Sequence, residues 1–178
     1  MIDIMAVKVM TAALLAVSGA AIGQYQASRL TRRVELLEEL ISGMRLFRNE
    51  IYYTHDRLER VAGRLTLSCQ GCGSVFFSEF QRRLEENGGK DTETIWRECA
   101  ERVFGNRTPL KERDLSVLKS AGVRLGMDDI EGQCRYLEKA EEDLEVRLKD
   151  ARQLRESRFR LYRTLGLAAG CAAAILVF

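Results

Sequence analysis

One proline, Pro109, is all that stands in 178 residues to interrupt a helix, so long helices are sterically permitted along almost the whole chain. Period-two alternation of apolar and polar residues is nearly absent, and Glu, Arg, Leu and Ala dominate the interior, which disfavours strands. A single histidine, His55, leaves little imidazole for acid–base or metal chemistry. An excess of one charge is missing too: 28 basic residues stand against 26 acidic ones. That balance gives no global reason to expect nucleic acid as a partner.

What is present is segregated. Apolar residues gather at the two ends and charge fills the middle. From Ile4 to Gly23 the only charge is Lys8, and a helix of that length spans about 30 Å, the thickness of a hydrocarbon core. Leu161–Phe178 forms a second apolar segment, with Arg163 near its entry, where a long side chain can reach back to headgroups. The expected organisation is an N-terminal transmembrane helix over 1–23, a helical domain over 24–160, and a C-terminal transmembrane helix over 161–178. A cleaved signal peptide, with Lys8 as its basic flank and Ser18-Gly19-Ala20 near the cleavage site, is the competing reading of the first segment. The length of the apolar run and the basic flank that follows it oppose cleavage.

Arg29, Arg32 and Arg33 follow the first segment, and Arg152, Arg155, Arg158, Arg160 and Arg163 lead into the second. Arginines resist translocation, so the middle is expected in the cytoplasm with both termini facing outward; that compartment also keeps cysteines reduced. Ala12, Ala16 and Ala20 recur every four residues, as do Gly166, Gly170 and Ala174. Such stripes let a neighbouring backbone approach closely, although Ala and Gly are also simply common in membrane helices.

In the middle, Leu30, Val34, Leu37, Ile41, Met44, Phe47, Ile51, Leu58, Val61 and Leu65 step mostly by three and four, which predicts one amphipathic helix to about Leu67. Gln70-Gly71-Cys72-Gly73 breaks it. A shorter helix then carries Val75, Phe76, Phe77, Phe80 and Leu84 and ends at Asn87-Gly88-Gly89. Asp91 or Thr92 caps the next, which presents Ile95, Trp96, Cys99, Val103 and Phe104. A fourth opens at Thr108-Pro109 and ends at Gly126. The last begins at Asp128 or Asp129, with Asp128 and Glu131 at capping-box spacing. The predicted fold class is all-α: a bundle of two long helices and short distal ones, the aromatic clusters of the short helices supplying most of the core.

Sites with chemistry are scarce. Cys69 and Cys72 have the spacing of a zinc or redox pair, but a structural zinc needs four ligands, and only Cys99, Cys134 and His55 remain, each alone. Gly89-Lys90 lacks the rest of a phosphate loop, since Leu84 and Asp91 stand where Gly and Ser or Thr are required. Glu141-Glu142 reads as solvated helix face. No convergent polar constellation marks an enzyme, and no cofactor or metal is expected.

With these residues in view, the chain resembles the stage III sporulation protein AB family of endospore-forming bacteria. The resemblance covers nearly the whole length. It rests on the two apolar ends, Glu50-Ile51, Trp96, the stretch from Asp114-Leu115 through Leu125-Gly126-Met127-Asp128-Asp129-Ile130-Glu131-Gly132-Gln133, and Tyr162 to Gly166 before the last segment. Cys69 and Cys72 are not part of the pattern. The resemblance implies a membrane component of a multiprotein channel complex between mother cell and forespore, on the mother-cell side in the outer forespore membrane. It implies similarity to the inner-membrane platforms of type II secretion and type IV pilus machines. It further implies a cytoplasmic partner, the secretion-type ATPase stage III sporulation protein AA. Leu125, Gly126, Asp129 and Gln133 are then candidate partner contacts, although the same four residues can instead simply shape a helix corner. A generic membrane-tethered scaffold or sensor would share the architecture, and a membrane enzyme is the weaker rival.

Overall fold

The computed structural model describes residues 2–177 except 87–89, 107 and 128; within the terminal helices the side chains of 2–9, 11–13, 15–16, 19–20, 159–163, 165–167 and 169–177 also lie outside the description. The described residues form six helices and no strands: α1 (Ile2–Thr54), α2 (Leu58–Ser68), α3 (Gly71–Glu85), α4 (Thr92–Phe104), α5 (Glu112–Ser120) and α6 (Ile130–Val177). They divide into two compact units, one of residues 1–32 with 151–178 and one of Arg33–Asp150.

The Arg33–Asp150 unit holds the core. On α1, Val34, Leu37, Ile41, Met44, Phe47 and Ile51 are buried, which is the stripe that the three-and-four spacing predicts. Arg45 of α1 bonds Glu145 of α6 at 3.0 Å, and Arg48 bonds Glu138 at 3.3 Å. Rising numbers on α1 meet falling numbers on α6, so the two helices run antiparallel within this unit. Leu137, Ala140 and Leu144 line the buried face of α6. The short helices contribute the aromatic centre. Trp96 is fully buried, stacks on Phe47 at 5.5 Å, and meets Phe76 and Phe80 edge-on at 4.7 and 5.0 Å.

Three sequence expectations need correction. The first long helix does not reach Leu67; it stops at Thr54, and α2 starts at Leu58. His55 takes a left-handed φ of 50°. Thr54 Oγ1 donates to the Glu50 carbonyl and accepts from the Asp56 N–H, while Arg64 donates to Glu50, Asp56 and Thr54 together. Short polar side chains that bond nearby backbone compete with helix continuation. The fourth helix begins at Glu112 rather than at Thr108-Pro109 and ends at Ser120, with turns over 121–126. Asp114 accepts from the Lys111 N–H at 2.8 Å and so closes the first turn of α5.

The third correction is Glu141, which is 5% exposed rather than solvated. Arg48 lies 2.9 Å from it and Arg45 3.8 Å. Burial nevertheless outweighs both guanidinium groups and raises its carboxyl above the ordinary glutamate value. A carboxyl whose folded pKa is raised binds its proton more tightly in the folded state, so its contribution to stability is lost as pH rises. Urea denaturation of the wild-type chain and Glu141→Gln across pH 4 to 7 should therefore show the wild type losing stability relative to the variant as pH increases. A constant difference would mean that Glu141 titrates like an exposed glutamate.

No helix among the described residues is long and apolar enough to cross a membrane. Residues 1–23 and 161–178, expected to span, fall largely outside the described side chains, as do Ala12, Ala16, Ala20, Gly166, Gly170 and Ala174. The described residues thus give no support to the flanking transmembrane helices expected from the sequence.

Candidate functional site

The residues singled out in the sequence meet at the corner between α5 and α6. The turns after Ser120 lead Leu125 into the core, where it is 5% exposed. Gly126 then reverses the chain with a φ of +83°, a conformation that a side chain makes costly. A Cβ there would also sit 2.7 Å from Thr92 Oγ1. Asp129 Oδ1 accepts from the Gly132 N–H at 3.0 Å and caps α6. Asp128, the alternative cap, is outside the described residues. Gln133 is buried, and its amide ties the turn to the helix. It accepts from the Gly126 N–H at 3.2 Å and donates to the Met127 carbonyl.

All four candidate residues therefore have work inside the corner. Asp129→Ala is expected to cost about 1 kcal/mol, the usual worth of an N-cap, as read by a urea melt. A loss of partner binding without that stability loss would instead assign Asp129 a contact role.

The corner forms one wall of a cavity of about 470 Å³ that also touches Ile51, His55, Arg57, Leu84 and Met127. Its lining is predominantly polar. Asp56, part of that lining, is held below the ordinary carboxylate range, chiefly by the hydrogen bond from Arg64. It is an ion-pair partner at neutral pH and a poor general base. A second groove of about 400 Å³ lies between the end of α1 and the start of α6, beside Arg48, Tyr52, Tyr53 and Arg135. Tyr52 and Tyr53 pack edge-on at 5.2 Å while staying 53% and 79% exposed.

Cys69 and Cys72 are free and half-buried, Cys69 at the end of α2 and Cys72 in the first turn of α3. Among the described residues no group of His, Cys, Asp or Glu is placed to hold a metal ion. Burial pushes the Cys99 thiol up to about 11, which makes it inert rather than nucleophilic.

Two structural residues escaped the sequence reading. Arg33, taken there as a topology signal, is buried and forms a bidentate pair with Asp114: Nε donates to Oδ2 at 2.8 Å and Nη2 to Oδ1 at 2.9 Å. Gly122 lies against Trp96, where a Cβ would come within 2.4 Å of the indole Cδ1. The only sequence signal for the pair was an arginine and an aspartate within apolar-rich windows, 81 positions apart.

The chain is 25% identical over 170 residues to stage III sporulation protein AB of Bacillus subtilis (strain 168), covering 96% of this chain and 98% of the relative. A solved structure of stage III sporulation protein AB superposes with a TM-score of 0.63 at 26% identity, over 70% of this chain and 97% of that one. The family model for stage III sporulation protein AB matches residues 8–178. A match of that extent assigns the family: this chain belongs to the stage III sporulation protein AB family.

Proposed function

We propose that the chain is a non-enzymatic membrane platform component of a secretion-like sporulation channel and docks a cytoplasmic ATPase on its central helical domain. The observation that carries this reading is the family match over residues 8–178. The apolar ends, with Lys8 as the only charge between Ile4 and Gly23, supply two membrane anchors of adequate length. The arginine flanks favour both termini outward and residues 24–160 in the cytoplasm, which this reading takes, from the family resemblance, as the mother-cell cytoplasm at the outer forespore membrane. Stage III sporulation protein AA is the ATPase proposed, because the family resemblance implies it as the cytoplasmic partner; the sequence itself has no phosphate loop, so on this reading energy comes from another chain.

The exposed side of the α5–α6 corner, with Met127 and Asp129, is the proposed contact, bordered by the Tyr52–Tyr53 groove. Tyrosine and arginine are enriched where protein partners bind. A titration of purified residues 24–160 against the purified ATPase tests the docking. Association in the micromolar range is expected, weakening as salt rises, because peripheral charge pairs are screened within about 8–10 Å. No association at high micromolar concentration, with both partners folded, overturns the docking and leaves a membrane-tethered scaffold without an ATPase.

A further inference from the structure

In the Arg33–Asp150 unit, arginine is mostly consumed internally. Arg33, Arg45, Arg48, Arg60, Arg64, Arg82, Arg83, Arg97 and Arg102 all lie within 4 Å of an acidic side chain. The other unit differs. Residues 24–32 and 151–163 carry seven arginines and one acid, Glu156. Of these arginines, Arg29 and Arg158 are exposed and Arg155 is half-buried, and none of the three has an ion pair or hydrogen bond among the described residues. Buried Ala27 on α1 and Ala151 on α6 belong to the same compact unit.

We propose that Arg29, Arg155 and Arg158 form a binding site for the phosphate groups of anionic phospholipids. This rests on the membrane reading of the two apolar ends. Arg158 stands three residues before Leu161, and Arg155 six; Arg29 stands six residues after Gly23. Along a helix these offsets are about 4.5 Å and about 9 Å. The headgroup layer is roughly 5–8 Å deep on each side of the hydrocarbon core. Counted from these ends, Arg158 falls at headgroup depth, and Arg29 and Arg155 each fall at its outer edge, within reach of a long side chain that extends toward the bilayer. Guanidinium groups without carboxylate partners keep their donor forks free, and those forks match phosphate oxygens. Orientation in the membrane requires charge alone. A lipid site also requires that the charge be uncompensated, and these three arginines meet that condition while most arginines of the Arg33–Asp150 unit do not.

The full chain, solubilised in a zwitterionic detergent, is mixed with equal mole fractions of phosphatidylglycerol and phosphatidylcholine, and retained lipids are counted by native mass spectrometry. Detergent removes membrane orientation from the comparison. The wild-type chain should retain phosphatidylglycerol in preference by about tenfold or more, since each arginine near an anionic surface is worth about fivefold. The triple variant Arg29→Gln, Arg155→Gln, Arg158→Gln should lose most of that preference with an unchanged far-ultraviolet spectrum. Equal retention of the two lipids by the wild-type chain, or an unaltered preference in the triple variant, overturns the inference. Full displacement of phosphatidylglycerol by inorganic phosphate overturns it as well, in favour of a soluble anion. Carbonate extraction of cell membranes separates the two readings. A released chain refutes the anchors, whereas a retained chain without lipid preference refutes only the lipid site.

Discussion

Asp114→Ala should lower the unfolding free energy of the 24–160 region by about 3–5 kcal/mol, the usual cost of removing one partner of a buried ion pair. Asp114 is fully buried and Arg33 is 6% exposed. The substitution therefore leaves a guanidinium group in the core with no carboxylate at 2.8 Å. It also frees the Lys111 N–H that Asp114 accepts from, adding a contribution of the size of a lost cap. The double variant Arg33→Met, Asp114→Leu should recover most of the loss, because an apolar pair of similar volume needs no desolvated charge. Urea midpoints of the three proteins decide it. A single variant that costs under about 1 kcal/mol would mean that water reaches the pair.

Trp96→Ala is expected to be as severe, at about 3–5 kcal/mol. The indole is fully buried among Phe47, Phe76 and Phe80. Its Nε1 donates to the Leu118 carbonyl at 2.7 Å, so truncation leaves both a cavity and an unsatisfied acceptor. Gly122→Ala acts on the same contact from the other side. A Cβ at 122 would stand 2.4 Å from Cδ1 and 2.6 Å from Cγ of Trp96. A ring held by three aromatic neighbours cannot yield, and overpacking of this kind costs about 1–3 kcal/mol. The two changes should not add. With the ring gone, the nearest clashing atoms are gone too, so Gly122→Ala should be milder in the Trp96→Ala background, as a double-mutant cycle would record. Additive losses would place the cost of Gly122→Ala elsewhere than against the indole.

Legibility followed the range of the interaction. The cap at Asp91 was readable because its bond, to the Thr94 N–H at 2.7 Å, spans three residues. The cap of α6 was narrowed to Asp128 or Asp129 for the same reason, and Asp129 makes the capping bond. The break at His55 was not readable, although it is local. Ile51 and Leu58 are seven residues apart, two helical turns, so the apolar stripe stays in phase across the interruption and periodicity has nothing to register. Thr54 and Asp56 were the available signal, as side chains that bond their own backbone. Glu141 was misread because a charge beside another charge on a helix is usually solvated. Its burial depends on where α1 lies against α6, and that is decided by the packing of Leu137 and Leu144 on one helix and Phe47 on the other.

By itself the sequence determined an all-α chain, the order of α3, α4 and α5, the aromatic residues of the core, a turn at Gly126 and a cap for the last helix at Asp128 or Asp129. These follow from three-residue and four-residue periodicity and from caps, which are properties of neighbouring positions. Only the tertiary structure decided that Arg33 belongs to Asp114, that Trp96 needs a glycine at 122, that Gln133 closes the corner from within, and that Arg29, Arg155 and Arg158 have no acid beside them among the described residues. The partner of a buried charge or a packed ring is chosen by which helices come together, and separations of 81 and 22 positions carry no periodic trace of that choice.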